Sequence, residues 1–207
     1  MNSTRKYILF FIIGIVTLIT GYVVAYNYLN STDLTISAKN IASYNVTLSG
    51  SIIHSSTQKS DAVRVPKSSN ISIEFKGVDG YETNTKEIQI GQSPKSITVE
   101  PFYSKEHLAT LIESERSLIS KSTNDYQTNI SNLYTLDNFT LYHFGDWASV
   151  TLKWKGEYSQ NSDNQKVILK KESGNWKVIG EPSILFFYKN YPDIPTDILR
   201  SVNNSSV

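Results

Sequence analysis

The sequence predicts an N-terminal transmembrane helix, then a small all-β antiparallel sandwich, then an α+β domain in which helices precede an antiparallel meander. Three observations carry this. An uncharged apolar run stands near the start, apolar and polar residues alternate with period two through about residues 34–101, and the period turns helical after Pro101 before alternation returns. The expected divisions are a cytoplasmic N-terminus (1–6), an anchor (7–29), a stalk (30–33), the sandwich (34–101), the α+β module (102–202) and a disordered tail (203–207).

From Tyr7 to Ala25 no residue is charged, which gives roughly 28 Å of helix against a hydrocarbon core of about 30 Å. Arg5 and Lys6 precede the run and the next charge is Asp33, so the positive-inside rule places the N-terminus in the cytoplasm and everything after about residue 30 outside. Tyr22, Tyr26 and Tyr28 suit an outer interface. Val23 and Ala25 also fit the −3 and −1 positions of a signal-peptide cleavage site. The uncharged stretch continues to Thr32, which favours a retained anchor. The lipid bilayer is therefore the first expected partner, through residues 7–29.

Tyr44, Val46 and Leu48 alternate with polar residues, as do Ile71, Ile73 and Phe75. Shorter versions follow at Val63/Val65, Ile88/Ile90 and Ile97/Val99. Ser104 caps an expected helix with Leu108, Leu111, Ile112, Leu118 and Ile119 on one face, and Tyr126, Ile130 and Leu133 belong to a short continuation. Strands are then expected in NFTLYHF, WASVTLKWKGEY, KVILKKE, WKVIG and SILFFYK, with turns at Gly145-Asp146 and Ser173-Gly174-Asn175. In the second strand Ala148, Val150, Leu152 and Trp154 share one face and Ser149, Thr151, Lys153 and Lys155 the other, which predicts a sheet covered on one side. Pro195, Thr196 and Asp197 open a last helix.

The stretch from Asn70 to Pro101, with Gly80-Tyr81 as its turn, resembles the second half of PEGA-type domains, although AVRVPKSSN stands where the family's signature belongs. That resemblance implies a non-catalytic surface or adhesive module. Residues from about Phe102 to Lys189, with the hairpin VILKKESGNWKVIG, resemble the NTF2-like and cystatin-like α+β group, with a shortened helical start. The layout of anchor, β module and α+β module resembles uncharacterised bacterial envelope proteins.

Composition narrows function further. The formal charge is +1, with 20 Lys+Arg against 19 Asp+Glu, so no basic field recruits nucleic acid. The chain holds no cysteine, which excludes disulfides, thiolate metal sites, thiol nucleophiles and an acylated lipobox. His54, His107 and His143 lie on separate elements without metal-ligand spacing. Neither a G-x-G-x-x-G nor a P-loop is present, so neither metal nor cofactor is expected. Ser56-Thr57-Gln58-Lys59 and Ser162-Asp163-Asn164 match two elements of the penicillin-recognising enzymes, but the third is missing and Ser56 falls in a polar loop. Glu113 and Glu115 diverge on their helix. Eight N-x-S/T matches follow from a composition in which Ser, Asn and Thr supply about 30% of the chain.

No catalytic residue emerges. The expectation is a non-enzymatic, single-pass envelope protein that contacts another envelope protein or a surface polymer. The alternative is a small-molecule or peptide binding domain, a degenerate NTF2-like enzyme, whose aromatic pocket in the C-terminal sheet would use Tyr142, Trp147, Trp154, Tyr158, Trp176 and Tyr188. Phe102 and Tyr103 are expected to be buried between the two modules, because two aromatic rings in a three-residue linker are costly to leave in water.

Overall fold

The computed structural model describes residues 3–127, 129–156 and 164–205. Helix α1 spans Ser3–Leu29, and Ile12–Leu29 within it is long and apolar enough to cross a membrane. None of that stretch is buried against protein. Its 18 residues make about 27 Å of helix. Thr17 and Thr20 each return their hydroxyl to a carbonyl four residues back, at 2.8 Å, so the span exposes no unpaired hydroxyl there.

The expected stalk at 30–33 is already part of the fold. Asn30 N still donates to Tyr26 O at 3.0 Å, and strand β1 begins at Ser31. Thr32, Leu34, Ile36 and Ala38 all point inward from β1, so its alternation starts one polar residue earlier than apolar residues alone reveal. The chain forms two compact units, residues 1–79 with 83–101, which include α1, and residues 80–82 with 102–207.

In the first unit, β1 (Ser31–Ala38), β2 (Ile41–Leu48), β3 (Ser51–Ser56), β4 (Ser60–Pro66), β5 (Asn70–Gly77), β6 (Asn84–Gln89) and β7 (Lys95–Val99) make two sheets. Their orders are β4-β1-β7 and β3-β2-β5-β6. One core fills the space between them, with Leu34, Ile36, Val65 and Val99 from the first sheet facing Tyr44, Val46, Ile73 and Phe75 from the second. Every pairing is antiparallel except β1 with β7, which run parallel from Leu34↔Lys95 to Ala38↔Val99. Such a crossover pairing leaves no mark on local periodicity.

In the second unit, α2 spans Lys105–Tyr126 and α3 Ile130–Leu133. Strands β8 (Tyr134–Tyr142), β9 (Trp147–Trp154), β10 (Gln165–Glu172) and β11 (Asn175–Val178) follow as an antiparallel meander in the order β11-β10-β9-β8. Ser104 caps α2 by accepting from His107 N at 3.2 Å. Ile112 and Ile119 bury as expected, whereas Leu118 is 50% exposed because it stands about 100° around the helix from Ile119, off the face turned to the sheet. Gly80 takes the left-handed φ of +84° that a turn here requires, and its carbonyl accepts from Ser104 N. A Cβ on Gly80 would meet His107 Nδ1 at 3.3 Å.

Three expectations for this unit are corrected. The sheet is covered on both faces: α2 packs over Ala148, Val150, Leu152, Val167 and Leu169, while the last helix, α4 (Thr196–Asn204), brings Ile198, Leu199 and Val202 against Trp147 and Ile168. Ser149 and Thr151 are therefore buried rather than wet. SILFFYK forms no strand beyond an isolated bridge between Ser183 and Lys166. Its apolar residues are consecutive rather than alternating, and they divide into a buried Phe186 and exposed Ile184, Leu185, Phe187 and Tyr188. Nor do residues 203–205 behave as a disordered tail. Asn203 and Asn204 complete α4, and the Asn203 amide brackets the Phe186 backbone at 2.9 and 2.8 Å.

His143 fastens the start of α4 to the β8–β9 turn, its Nε2 lying 2.6 Å from Asp197 Oδ2. Partial burial raises the Asp197 pKa, but the hydrogen bond from His143, the His143 charge and the α4 backbone N–H groups outweigh it and hold the carboxyl below its ordinary range. A carboxylate depressed in the folded state contributes stability above its unfolded pKa and loses it as pH falls through the folded value. The advantage of the parent chain over Asp197→Asn, read from urea midpoints, is expected to shrink as the pH falls below about 4. An advantage that persists undiminished to lower pH would refute this account.

Candidate functional site

The first unit contains a polar cavity of about 390 Å³ where the chain leaves β3 for β4 and crosses between sheets. The period-two pattern of β2 that sends Val46 into the core sends Tyr44 there as well, and its ring packs against Phe75 at 6.1 Å and His54 at 6.0 Å. The ring satisfies the core, yet the hydroxyl at its tip lies where the core gives way to the cavity. Tyr44 is 1% exposed, and its hydroxyl is enclosed with Ser56 and Asp61 beside it. Burial raises its pKa; hydrogen bonding with Ser56 opposes that shift, and the Asp61 charge and hydrogen bond add to it.

The rest of the lining follows from register. Tyr44 pairs with Ser56 and Asn45 with Ser55 across β2 and β3, and Asp61 at the start of β4 closes the far side. Ser55 Oγ donates to Asn45 Oδ1 at 2.8 Å, and Gln58 N donates to Ser56 Oγ at 3.1 Å. Asp61 Oδ2 lies 2.9 Å from His54 Nε2, and Oδ1 accepts from Ala62 N at 2.8 Å. Hydrogen bonding from Ser56 and then from His54 holds the Asp61 carboxyl below its ordinary range, so it is ionised near neutral pH.

These contacts decide the chemistry. Asp61 stands between Ser56 and His54, so the imidazole is not placed to take the serine proton as a nucleophilic relay needs. Lys59 is exposed and does not line the cavity, so the Ser56–Lys59 spacing assembles no S-x-x-K site. The lining offers hydroxyls, amides and one carboxylate with no cation. That set suits a neutral, hydroxyl-bearing ligand and disfavours phosphates and carboxylates. Sequence reasoning treated Tyr44 as a core residue and missed this site. The available signal was the density of hydroxyl and amide residues at Ser55–Gln58 between His54 and Asp61.

The aromatic residues expected to share a pocket are placed on different surfaces. Trp147 and Tyr142 pack on the α4 face of the sheet, and the Tyr142 hydroxyl lies 2.9 Å from Ser149 Oγ. Trp176 is buried under α2, and Trp154 packs edge-on against Tyr134. Tyr188 lies exposed in the loop before α4, and Tyr158 lies outside the described residues, as do Ser162 and Asp163. Alternation separates Trp147 from Trp154, which stand an odd number of positions apart on one strand.

Phe102 and Tyr103 are half-buried with ring partners inside the second unit. Phe102 stacks on His143 at 4.0 Å and meets Phe144 edge-on, while Tyr103 packs edge-on against Tyr81 and His107. Among the described residues no group of three or more His, Asp or Glu side chains is gathered to hold a metal ion. No protein-family model matches the chain, and comparison with curated proteins finds no match.

Proposed function

We propose that this chain is a non-enzymatic, single-pass membrane-anchored protein of the cell envelope. In this reading the residues after about 30 are extracytoplasmic, and the sandwich contacts a surface polymer through neutral saccharide units bound in the Tyr44–Asp61 cavity. The observation that carries the ligand class is a cavity of about 390 Å³ lined with hydroxyls, amides and the Asp61 carboxylate, with no cation among them. The volume falls within the range of about 300–1,000 Å³ usual for small-ligand sites. An ionised carboxylate beside amide groups matches the paired hydroxyls of a sugar ring, and the resemblance to PEGA-type surface modules is in keeping with binding rather than catalysis.

Because the chain has no cysteine, single-cysteine reporters read without background. Lys39→Cys and Lys177→Cys are expected to react with a membrane-impermeant maleimide in intact cells; protection of both until lysis would overturn the orientation. The purified full chain in nanodiscs is expected to bind neutral disaccharides such as cellobiose but not inorganic phosphate. Asp61→Ala should weaken that binding about ten- to a hundredfold, the range for a lost charge-assisted hydrogen bond. Absence of saccharide binding, or binding indifferent to Asp61, would overturn the ligand assignment.

A further inference from the structure

A second cavity, of about 620 Å³, lies where α1 meets the sandwich in the first unit. Its lining includes Asn27, Asn30, Ser31, Arg64, Lys67 and Gln92, with two cations and no carboxylate. The joint is built rather than loose. Lys67 Nζ donates to Leu29 O at 2.7 Å, Lys67 N to Asn30 O at 2.8 Å, and Ser31 Oγ to Tyr28 O at 3.1 Å, so the terminal carbonyls of α1 are capped by atoms of the sandwich. Arg64 lies over the Tyr28 ring, its Cζ 3.7 Å from the centroid, while its Nε donates to Ser31 Oγ at 2.9 Å. Its nearest acid, Asp33, is 3.9 Å from that same Nε and does not line the cavity. The two terminal guanidinium nitrogens make no hydrogen bond to the described residues and are free to form a fork on an oxyanion.

Position gives this cavity its meaning. The apolar stretch of α1 ends at Leu29, and the polar layer of a bilayer begins where the hydrocarbon ends. A helix seated to its apolar limit brings the Arg64–Lys67 pair to headgroup level, whichever side of the membrane the sandwich occupies. We propose that this cavity binds the phosphate of an anionic phospholipid, so that the sandwich is seated on the membrane by a specific lipid as well as by its helix. Tyr26 and Tyr28 place amphipathic rings at the same level. The proposal rests on α1 being a membrane span and not on the saccharide site, and its outcome is independent of which compartment the sandwich faces.

The test uses the full chain in nanodiscs of mixed phosphatidylcholine and phosphatidylglycerol, with retained lipid counted by native mass spectrometry. The parent chain is expected to retain phosphatidylglycerol preferentially. Arg64→Gln with Lys67→Gln should reduce that preference about 25-fold, roughly fivefold for each cation. Arg64→Lys, which keeps the charge and disturbs the joint least, should lose part of the preference; full retention would refute the role of the guanidinium fork. Lys39→Gln with Lys177→Gln removes the same charge elsewhere, and an equal loss there would overturn the site in favour of bulk attraction. A lipid-free full chain in neutral detergent is titrated with inorganic phosphate and read by ¹⁵N signals of the arginine side chains. Tight binding of free phosphate would reassign the site to a soluble anion, whereas its absence alongside lipid retention supports the headgroup.

Discussion

Glu115→Ala is expected to destabilise the second unit by about 2–4 kcal/mol, seen as a lower urea midpoint for tryptophan fluorescence in the detergent-solubilised full chain. Trp147, Trp154 and Trp176 all lie in that unit, so the signal reports it alone. Glu115 reaches from α2 to the sheet, with one oxygen accepting from Lys171 Nζ at 2.6 Å and the other from Trp176 Nε1 at 2.7 Å. Its side chain is 19% exposed. That partial burial disfavours the charge, but hydrogen bonds from Lys171 and Trp176, together with the Lys171 charge, hold the carboxyl below its ordinary range. Truncation leaves an indole N–H and an ammonium without their acceptor, and residual solvent access keeps the loss below that of a fully buried pair. Glu115→Gln keeps an acceptor for Trp176 and should lose about half as much; equal losses for the two variants would show that charge, not the tryptophan bond, dominates. A midpoint unchanged by Glu115→Ala would refute the account.

Lys166→Ala should release α4, at a cost of about 2–4 kcal/mol and with faster hydrogen exchange over residues 196–204. Lys166 is 5% exposed, and its ammonium donates to Val202 O at 2.6 Å and Ser205 O at 3.0 Å, closing the last turn of α4. Alanine removes this cap and the aliphatic stem together, whereas Lys166→Met keeps the stem and should lose about 1–2 kcal/mol. Burial pushes the Lys166 pKa down. The unfolded chain therefore holds that proton more tightly, and raising the pH toward the ordinary lysine range stabilises the fold through this group rather than releasing the helix. Exchange over α4 in Lys166→Ala that matches the parent chain would remove Lys166 as its fastening.

Much of the architecture is written in short-range pattern. The apolar run that makes α1, the alternation of Tyr44, Val46 and Leu48, the Ser104 cap, and the hairpin at Ser173-Gly174 with φ of 50° and 83° each depend on a few neighbouring residues. The Pro195-Thr196-Asp197 start of α4 is equally local.

The candidate sites are not local. Trp147 and Trp176 look alike in sequence, yet β9 and β11 present them to opposite faces, and which face each takes follows from register with β10. Ser149 and Thr151 read as solvent-facing because the helix that covers them arrives some 45 residues later. Asp61 enters the site only because β4 joins a different sheet from β3 and carries it to the cavity beside Tyr44. The sequence alone determined the membrane-length helix, the half-buried strands and the helix caps, because hydrophobic period and backbone preference are properties of adjacent residues. Only the tertiary structure decided the parallel β1–β7 pairing, the second cover on the C-terminal sheet and the two polar cavities. Each of these depends on contacts between distant segments, whose individually small energies select a partner only when summed over the whole fold.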